Sequence, residues 1–583
     1  MEDLANIWPE GGLFAFSGVD GATCHAEPFV AAGTKDGIGW RFWLTPRTEI
    51  HVNVGSGRLV SRRLPTDFCL SDCWHCTALV DEYEGLVEGA FVDRASMVVQ
   101  VTFKGLPEGS FPDLSTNAGP CVEEGATICR GDGWWLAVRR EPPSLRRRFG
   151  VAISYRDEAE AVERAGQACA ADVAETVQGR LAFYKAVAVP ESLSGNTKRA
   201  YYKAVSIQKV NVESPQLDIP CRWTTPDRMP HRHMWLWDTA FHALGLHYID
   251  AELAQDALRA LFSKQREDGK LSLAAQPGIP PGDDDDTQPP IIAWSLCHQN
   301  ERTTRTDLIA ELYPSLMRYL EWFETHRKNE TGLYGWRVRT TEDAIRAARG
   351  GESGMDNSPR FDHVTAITAV DLSSYMASEY FSLEKLARCL ERAGDVQEWR
   401  QRRTRITDLV NRLLWDDETR FYYDLDEHGE FVAIKTTAGL MPLLGQIPDR
   451  DQAESLRMHL LNPNEFWSEF PAASVSQDER SFSYDMWRGP TWPNVNVLLY
   501  YGLMAYGFFQ EARALARATV NEIVRCYLRH GCFYEYYDAT AAHPPAELPR
   551  KGAPGAKGGV GFGVVEDLHW TAAAFVHFVH ELH

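Results

Sequence analysis

The sequence lacks any apolar run approaching the roughly 20 residues that span a bilayer. Its opening, MEDLANIWPEGG, has acids at Glu2 and Asp3 and no basic stretch followed by an apolar one. A cytoplasmic protein without a membrane partner is therefore expected. Basic charge is also short: 60 Lys and Arg stand against 81 Asp and Glu, a formal charge of −21. That balance repels phosphate backbones and argues against nucleic acid as a partner. The 12 cysteines in 583 residues lie scattered, mostly inside apolar segments, which fits reduced, buried thiols. Only Cys69, Cys73 and Cys76 cluster, around His75. No second ligand group stands at zinc-module spacing, and FCLSDCWHC alternates as a strand does. HExxH, a P-loop, a GxSxG elbow and a GxGxxG at a strand–helix junction are all missing, so hydride transfer, nucleotide hydrolysis and serine esterase chemistry lose ground. The acidic run 283–286 lacks the alternating ligands, central Gly and terminal Glu of an EF-hand and reads as a solvated loop. Neither metal nor cofactor is expected, and nothing signals an oligomeric partner.

Rings are what the sequence has in quantity, with 18 Trp, 21 Tyr and 26 Phe, and many of the Trp stand beside Asp, Glu or Arg. Such mixtures suit carbohydrate, with ring faces on sugar C–H surfaces and charged groups on hydroxyls. A large core would use rings too, so position has to decide.

Two regions differ in period. Over residues 13–189, short segments separated by turn residues (IGWRFWL, TEIHVNV, MVVQVTF, WWLAVR, FGVAISY and LAFYKAVAV) predict an antiparallel β-sandwich domain, 1–190. One helix is predicted within it, over 157–176. Beyond a polar linker the period becomes 3.6 residues. Leu308, Leu312, Leu316, Tyr319 and Phe323 define one face of a helix over 307–323, which Pro314 should bend or whose start it should displace. About a dozen such helices are predicted, among them 365–379, 382–393, 436–443, 494–508, 510–529 and 567–580. No 34- or 40-residue motif repeats, and polar-aromatic motifs occupy alternate connections. An α/α toroid, an (α/α)6 barrel over 191–583, is preferred to an open solenoid.

The loop GESGMDNSPR, 351–360, places Glu352 and Asp356 among turn formers, with Asn357 and Ser358 able to hydrogen-bond nearby. A loop carboxylate more often caps the next helix than catalyses. In GCFYEYYD, 531–538, Glu535 is enclosed by Phe533, Tyr534, Tyr536 and Tyr537, beyond a helix ending near His530. Rings remove solvent and raise a carboxyl pKa, while tyrosine hydroxyls keep it charged and aimed at a water; a salt bridge is its plain alternative. Inverting glycoside hydrolysis needs such a pair, one acid at the leaving oxygen and one base on water. Trp235, Trp237 and Asp238 gather at a helix start, where an acid also answers the helix dipole. Trp487, Arg488 and Trp492 share a Gly-Pro loop before a helix that Pro493 can begin, and a guanidinium between two indoles suits a hydroxyl-rich ligand or structural cation–π packing. Gln265, Asp268 and Gln288 are weaker candidates.

Together ESGMDNSPR, WLWDTAFHALG, TQPP, WRGPTWPNVN and FYEYYD resemble glycoside hydrolase family 63 across residues 195–583, with ESGMD more distantly similar to the trehalase family. FSGVDG, 16–21, resembles the opening of bacterial members that carry a β-rich domain before the barrel. The resemblance implies inverting hydrolysis of a terminal α-linked sugar, with Asp356 matching the general acid and Glu535 the general base. It also implies that Trp237, Asp238, Trp487 and Arg488 enclose that sugar. The chain departs from the family after FYEYYD, where DATAAHPP replaces the usual Pro and Gly and LPRKGAPGAKGGVGFGVVEDLHW is inserted. An α-glucosidase acting on a short soluble glycoside is the expectation. Mannosylglycerate or glucosylglycerate is the alternative, its carboxylate calling for Lys551 or Lys557 if the insertion folds inward. A non-hydrolytic sugar-binding protein and an epimerase or lyase are the readings from other classes.

Overall fold

Alternation of large apolar residues builds two facing sheets. In the computed structural model the described residues are 3–34, 38–45, 48–55, 58–59, 66–80, 82–105, 115–116, 121–123, 125–141, 146–282, 286–340, 348–552 and 563–583. Leu13–Ala15, Val30–Gly33, Ile38–Thr45, Thr48–Gly55 and Ser115–Thr116 form a five-stranded sheet. It faces a nine-stranded sheet whose central neighbours are Trp134–Arg140, Arg146–Ser154, Ser96–Phe103, Tyr83–Asp93 and Cys73–Val80. Met97, Val99, Val101 and Phe103 alternate into the shared core, where Trp74 meets Phe14 at 5.4 Å and Trp40 at 5.1 Å. Cys73 and Cys76 thus lie on a strand, and His75 pairs with Glu88. No group able to hold a metal ion occurs among the described residues.

The segment after the sheets differs from expectation. The single helix over 157–176 is two, α1 (Glu158–Ala170) and α2 (Val173–Ala186), because Asp172 caps a new start by accepting from Glu175 N at 2.9 Å. The strand expected over LAFYKAVAV is mostly the end of α2. Its short apolar run fits either period, but Val173, Val177, Leu181 and Tyr184 are buried at helical steps.

The remaining helices are α3 (Gly195–Val210), α4 (Leu236–Leu246), α5 (Ala251–Ser263), α6 (Ile292–Arg302), α7 (Thr306–His326) and α8 (Val370–Cys389). They continue with α9 (Ala393–Leu413), α10 (Pro442–Gly445), α11 (Arg450–Leu461), α12 (Pro493–Ala505), α13 (Phe509–His530) and α14 (His569–Leu582). Contacts run from α4 to α6, α8, α10, α12 and α14 in turn, and α14 packs back on α4. Every residue of α4 is buried, as expected of a helix covered on all sides. Outside this circuit α5 lies on α4, α9 on α8, α13 on α12 and α3 on α14. None of the described helices is long and apolar enough to cross a membrane.

Three helical details complete this comparison. Helix α7 runs through Pro314 without a displaced start, since the buried stripe from Leu308 to Phe323 holds both halves to their neighbours. The helices expected over 365–379 and 382–393 are one, Ser382 Oγ donating back to Ser378 O at 2.8 Å. The 436–443 segment is a 3₁₀ turn, Thr437–Leu440, and the single turn of α10 that Pro442 begins.

A buried carboxylate joins the two regions. Asp567 accepts from Leu13 N at 2.8 Å, Phe533 N at 3.0 Å and Lys203 Nζ at 2.6 Å. Asp567→Ala would strand the Lys203 ammonium without water or partner. The expected loss is about 3–5 kcal/mol of unfolding free energy, read from urea denaturation; an unchanged midpoint would contradict the role.

Candidate active site

The loop bearing Asp356 is held by backbone geometry. Gly354 has φ +74°, and a Cβ there would stand 2.5 Å from the Trp237 ring, so glycine alone permits this approach. Gly350 N donates to Asp356 O at 3.0 Å. Further on, the buried Arg360 pairs with Asp371 and with Asp424 at 3.1 Å. Glu535 lies on an extended segment paired with the chain before α14: its N–H donates to Val565 O at 2.9 Å, and Trp570 Nε1 donates to its carbonyl at 3.3 Å.

These elements enclose one cavity of about 340 Å³, lined by Asp356 and Glu535 together, within the range of small-molecule sites. Trp235, Trp237, Asp238, Gln288, Trp487 and Trp492 line it too, so eight of the residues singled out from sequence meet there. Trp487 and Trp492 stack at 3.7 Å and 3°, and Gln288 Oε1 accepts from Trp237 N at 3.2 Å.

The other seven take supporting places. Arg488 is not between two indoles: its guanidinium reaches Asp362 at 2.9 and 2.7 Å and Asn357 O at 3.1 Å, binding the Asp356 loop to the tryptophan loop. A bidentate carboxylate outcompetes ring faces for that fork. Asn357 Oδ1 accepts from Trp487 N at 2.9 Å. Glu352 is fully buried behind the loop, paired with Arg327 and accepting from Arg337 N at 2.8 Å. Tyr536 packs on Trp492 at 4.7 Å and donates to Pro549 O at 2.7 Å, while Tyr534 N donates to Tyr537 Oη at 3.1 Å. Gln265 and Asp268 fix their own loop through Gly269 O and Lys270 N.

Several lining residues escape motif reading: His231, Met486, Arg550 and Trp570. Lys551, considered only for an inward-folding insertion, also lines the cavity, whereas Lys557 lies outside the described residues. Arg550 Nε and Nη2 each donate to a Glu535 oxygen at 3.0 Å, and Lys551 Nζ pairs with Asp356. Asp485 fixes this dipeptide by accepting from Lys551 N at 2.7 Å and Gly552 N at 2.8 Å. The visible signal was a basic pair inside a Gly/Pro-rich insertion. Of the acidic run, 283–285 lies outside the described residues, and Asp286 pairs with Arg337 and Arg339.

Electrostatics distinguish Asp238 from its neighbours. Burial raises its pKa well above the ordinary carboxylate value, with the negative charges of Glu535, Asp227 and Asp356 adding to the effect. A carboxyl whose pKa is raised keeps its proton to higher pH, and in that protonated form it donates one hydrogen bond and accepts another.

A family model described as the mannosylglycerate hydrolase MGH1-like glycoside hydrolase domain matches residues 231–547. The mannosylglycerate hydrolase of Thermus thermophilus is 27% identical over 401 residues, covering 54% of this chain and 91% of that protein. A probable mannosyl-oligosaccharide glucosidase of Schizosaccharomyces pombe is 25% identical over 395 residues, covering 54% of this chain and 48% of that one. The chain therefore spans less than half the length of this curated relative. A solved bacterial glucoamylase complexed with acarbose superimposes with TM-score 0.63 at 10% identity, covering 100% of this chain and 95% of that chain; this is a likeness of fold.

Because Asp238 binds its proton more tightly folded than unfolded, native stability should fall as pH rises from about 4 toward the folded pKa. In Asp238→Asn that slope disappears. The melting temperature of the variant minus that of the wild type should grow from pH 4 to 7, and a constant difference would contradict a raised Asp238 pKa.

Proposed function

We propose the reaction of this chain from its kinship: it belongs to the mannosylglycerate hydrolase MGH1-like glycoside hydrolase family, within glycoside hydrolase family 63, and is a glycoside hydrolase. Our reading is an inverting, exo-acting α-glycosidase that removes one terminal α-linked sugar, glucose in the first instance, from a short soluble glycoside in the cytoplasm. The fold reading is an (α/α)6 barrel over 191–583 behind a β-sandwich over 1–190, supported by the closed helix circuit. The observation that carries the reaction is the joint presence of Asp356 and Glu535 in one aromatic cavity, each with its own cationic partner.

Asp356 protonates the glycosidic oxygen as the C1–O bond breaks, and Glu535 takes a proton from the water whose oxygen bonds to C1. The indole faces of Trp237, Trp487 and Trp492 cover the sugar's C–H surfaces, and Asp238 and Gln288 meet its hydroxyls. Asp356→Asn and Glu535→Gln should each lower kcat by at least about 10²-fold on a panel of α-glucosides, mannosylglycerate and glucosylglycerate, with sugar still bound by calorimetry. Wild-type protein that binds these glycosides without turnover would sink the reading in favour of a binding protein.

Lys551 favours one second reading, a glycoside whose leaving group carries a carboxylate, as glycerate does. Its ammonium stands at Asp356, on the side where the leaving group must lie. Lys551→Met should raise KM for glucosylglycerate or mannosylglycerate about tenfold more than KM for neutral glucosides, the worth of one charge-assisted contact, while any change in kcat through Asp356 is common to both classes. Equal effects on both classes would remove the anionic reading.

A further inference from the structure

Arg550 lies beyond the residues the family model matches, in the insertion, yet it makes the shortest polar contacts of the Glu535 carboxylate. Both groups are almost wholly buried, each side chain 4% exposed. The fork donates Nε to Oε2 and Nη2 to Oε1, each at 3.0 Å, which fixes the carboxylate plane. Val565 N adds a contact to Oε2 at 3.4 Å, leaving Oε1 with the more open acceptor capacity. Arg550 is in turn set from the other side. Its Nη2 lies 3.3 Å from His231 Nε2, and His231 Nδ1 lies 2.7 Å from Asp227 Oδ2. With Nδ1 protonated toward Asp227, Nε2 is an acceptor and receives the guanidinium. His231 N also donates to Asp227 Oδ1 at 2.9 Å, fixing the loop that carries the ring.

We propose that Arg550 is a positioning residue for Glu535, aimed by the Asp227–His231 pair, so that a residue of the insertion orients the base and keeps Oε1 toward the water site. This rests on Glu535 being the base of the reaction proposed above. Asp227, His231, Arg550 and Glu535 form one line of alternating partners in which each fixes the next. The other titratable or charged groups around the carboxylate are Asp238, Asp356, Lys551, Asp485 and Tyr536. All of them stay in place when only Arg550 is changed.

The test uses the full chain with glutamate ¹³Cδ labelling, the Glu535 resonance being assigned by its absence in Glu535→Gln. Arg550→Gln should move the titration midpoint of that carbon upward by about one unit or more, the effect of losing an adjacent cation. Arg550→Lys should restore at least half of the shift, and His231→Gln should give a smaller shift in the same direction. In hydrolysis, Arg550→Gln should carry the acid limb of kcat/KM to higher pH and lower kcat about 10²-fold, with KM changed less than about threefold. Midpoints and limbs equal to wild type in Arg550→Gln overturn the proposal. If that variant does not fold, Arg550→Lys and His231→Gln decide it, and wild-type midpoints in both overturn it. A midpoint that moves in a protein hydrolysing no glycoside overturns the hydrolase reading and leaves the orientation of Glu535 by Arg550 standing. Hydrolysis in the wild type with no movement in the variants overturns this proposal alone.

Discussion

A carboxylate cut off from water needs donors around it, and Asp567 draws them from distant parts of the chain: the first strand, helix α3 and the segment bearing Glu535. Removing that carboxylate would leave two amides and an ammonium unpaired inside the protein, the most expensive kind of loss in a packed interior. The node also explains the close approach of the N-terminal loop, since a Cβ on Gly12 would lie 2.5 Å from Asp567 Oδ2. Phe533 N and Asp567, Glu535 N and Val565 O, and Trp570 and the Glu535 carbonyl then follow as one ladder. Through it the sheet region and the helical circuit agree on where Glu535 stands.

Across the cavity Asp356 is fixed by different means: a left-handed glycine against an indole, and Arg488 tying its loop to the stacked tryptophans. Two consecutive residues, Arg550 and Lys551, then face the two carboxylates separately. The net charge of −21 excludes classes of partner but describes nothing about this site. Here anions and cations are placed in pairs, and burial raises the pKa of Asp238. Such an arrangement offers a polar ligand fixed donors and acceptors between apolar walls.

Much of this was legible in the residues. Asp356 and Glu535 stood out because a carboxylate among turn formers and another among four rings are unusual local settings, and the tryptophans beside them came with the motifs. Arg488 was misplaced because sequence adjacency to Trp487 cannot show that Asp362, 126 residues away, takes the guanidinium. Glu352 and Asn357 share a motif with Asp356 but point into the supporting scaffold, which a linear pattern does not distinguish. Arg550 was hidden in a segment of small residues, where only the charges of the partners give it meaning. LAFYKAVAV failed for another reason: a short apolar run satisfies both periods, and only the residues before it, from Val173, reveal the helical step.

The central claim is that Asp356 and Glu535 act from opposite sides of the anomeric carbon. The most direct measurement is ¹H NMR of the first turnovers on an accepted α-glycoside, before mutarotation mixes the anomers. The account predicts that the released sugar appears first as the β anomer. First appearance of the α anomer would mean retention through a covalent intermediate and would contradict it.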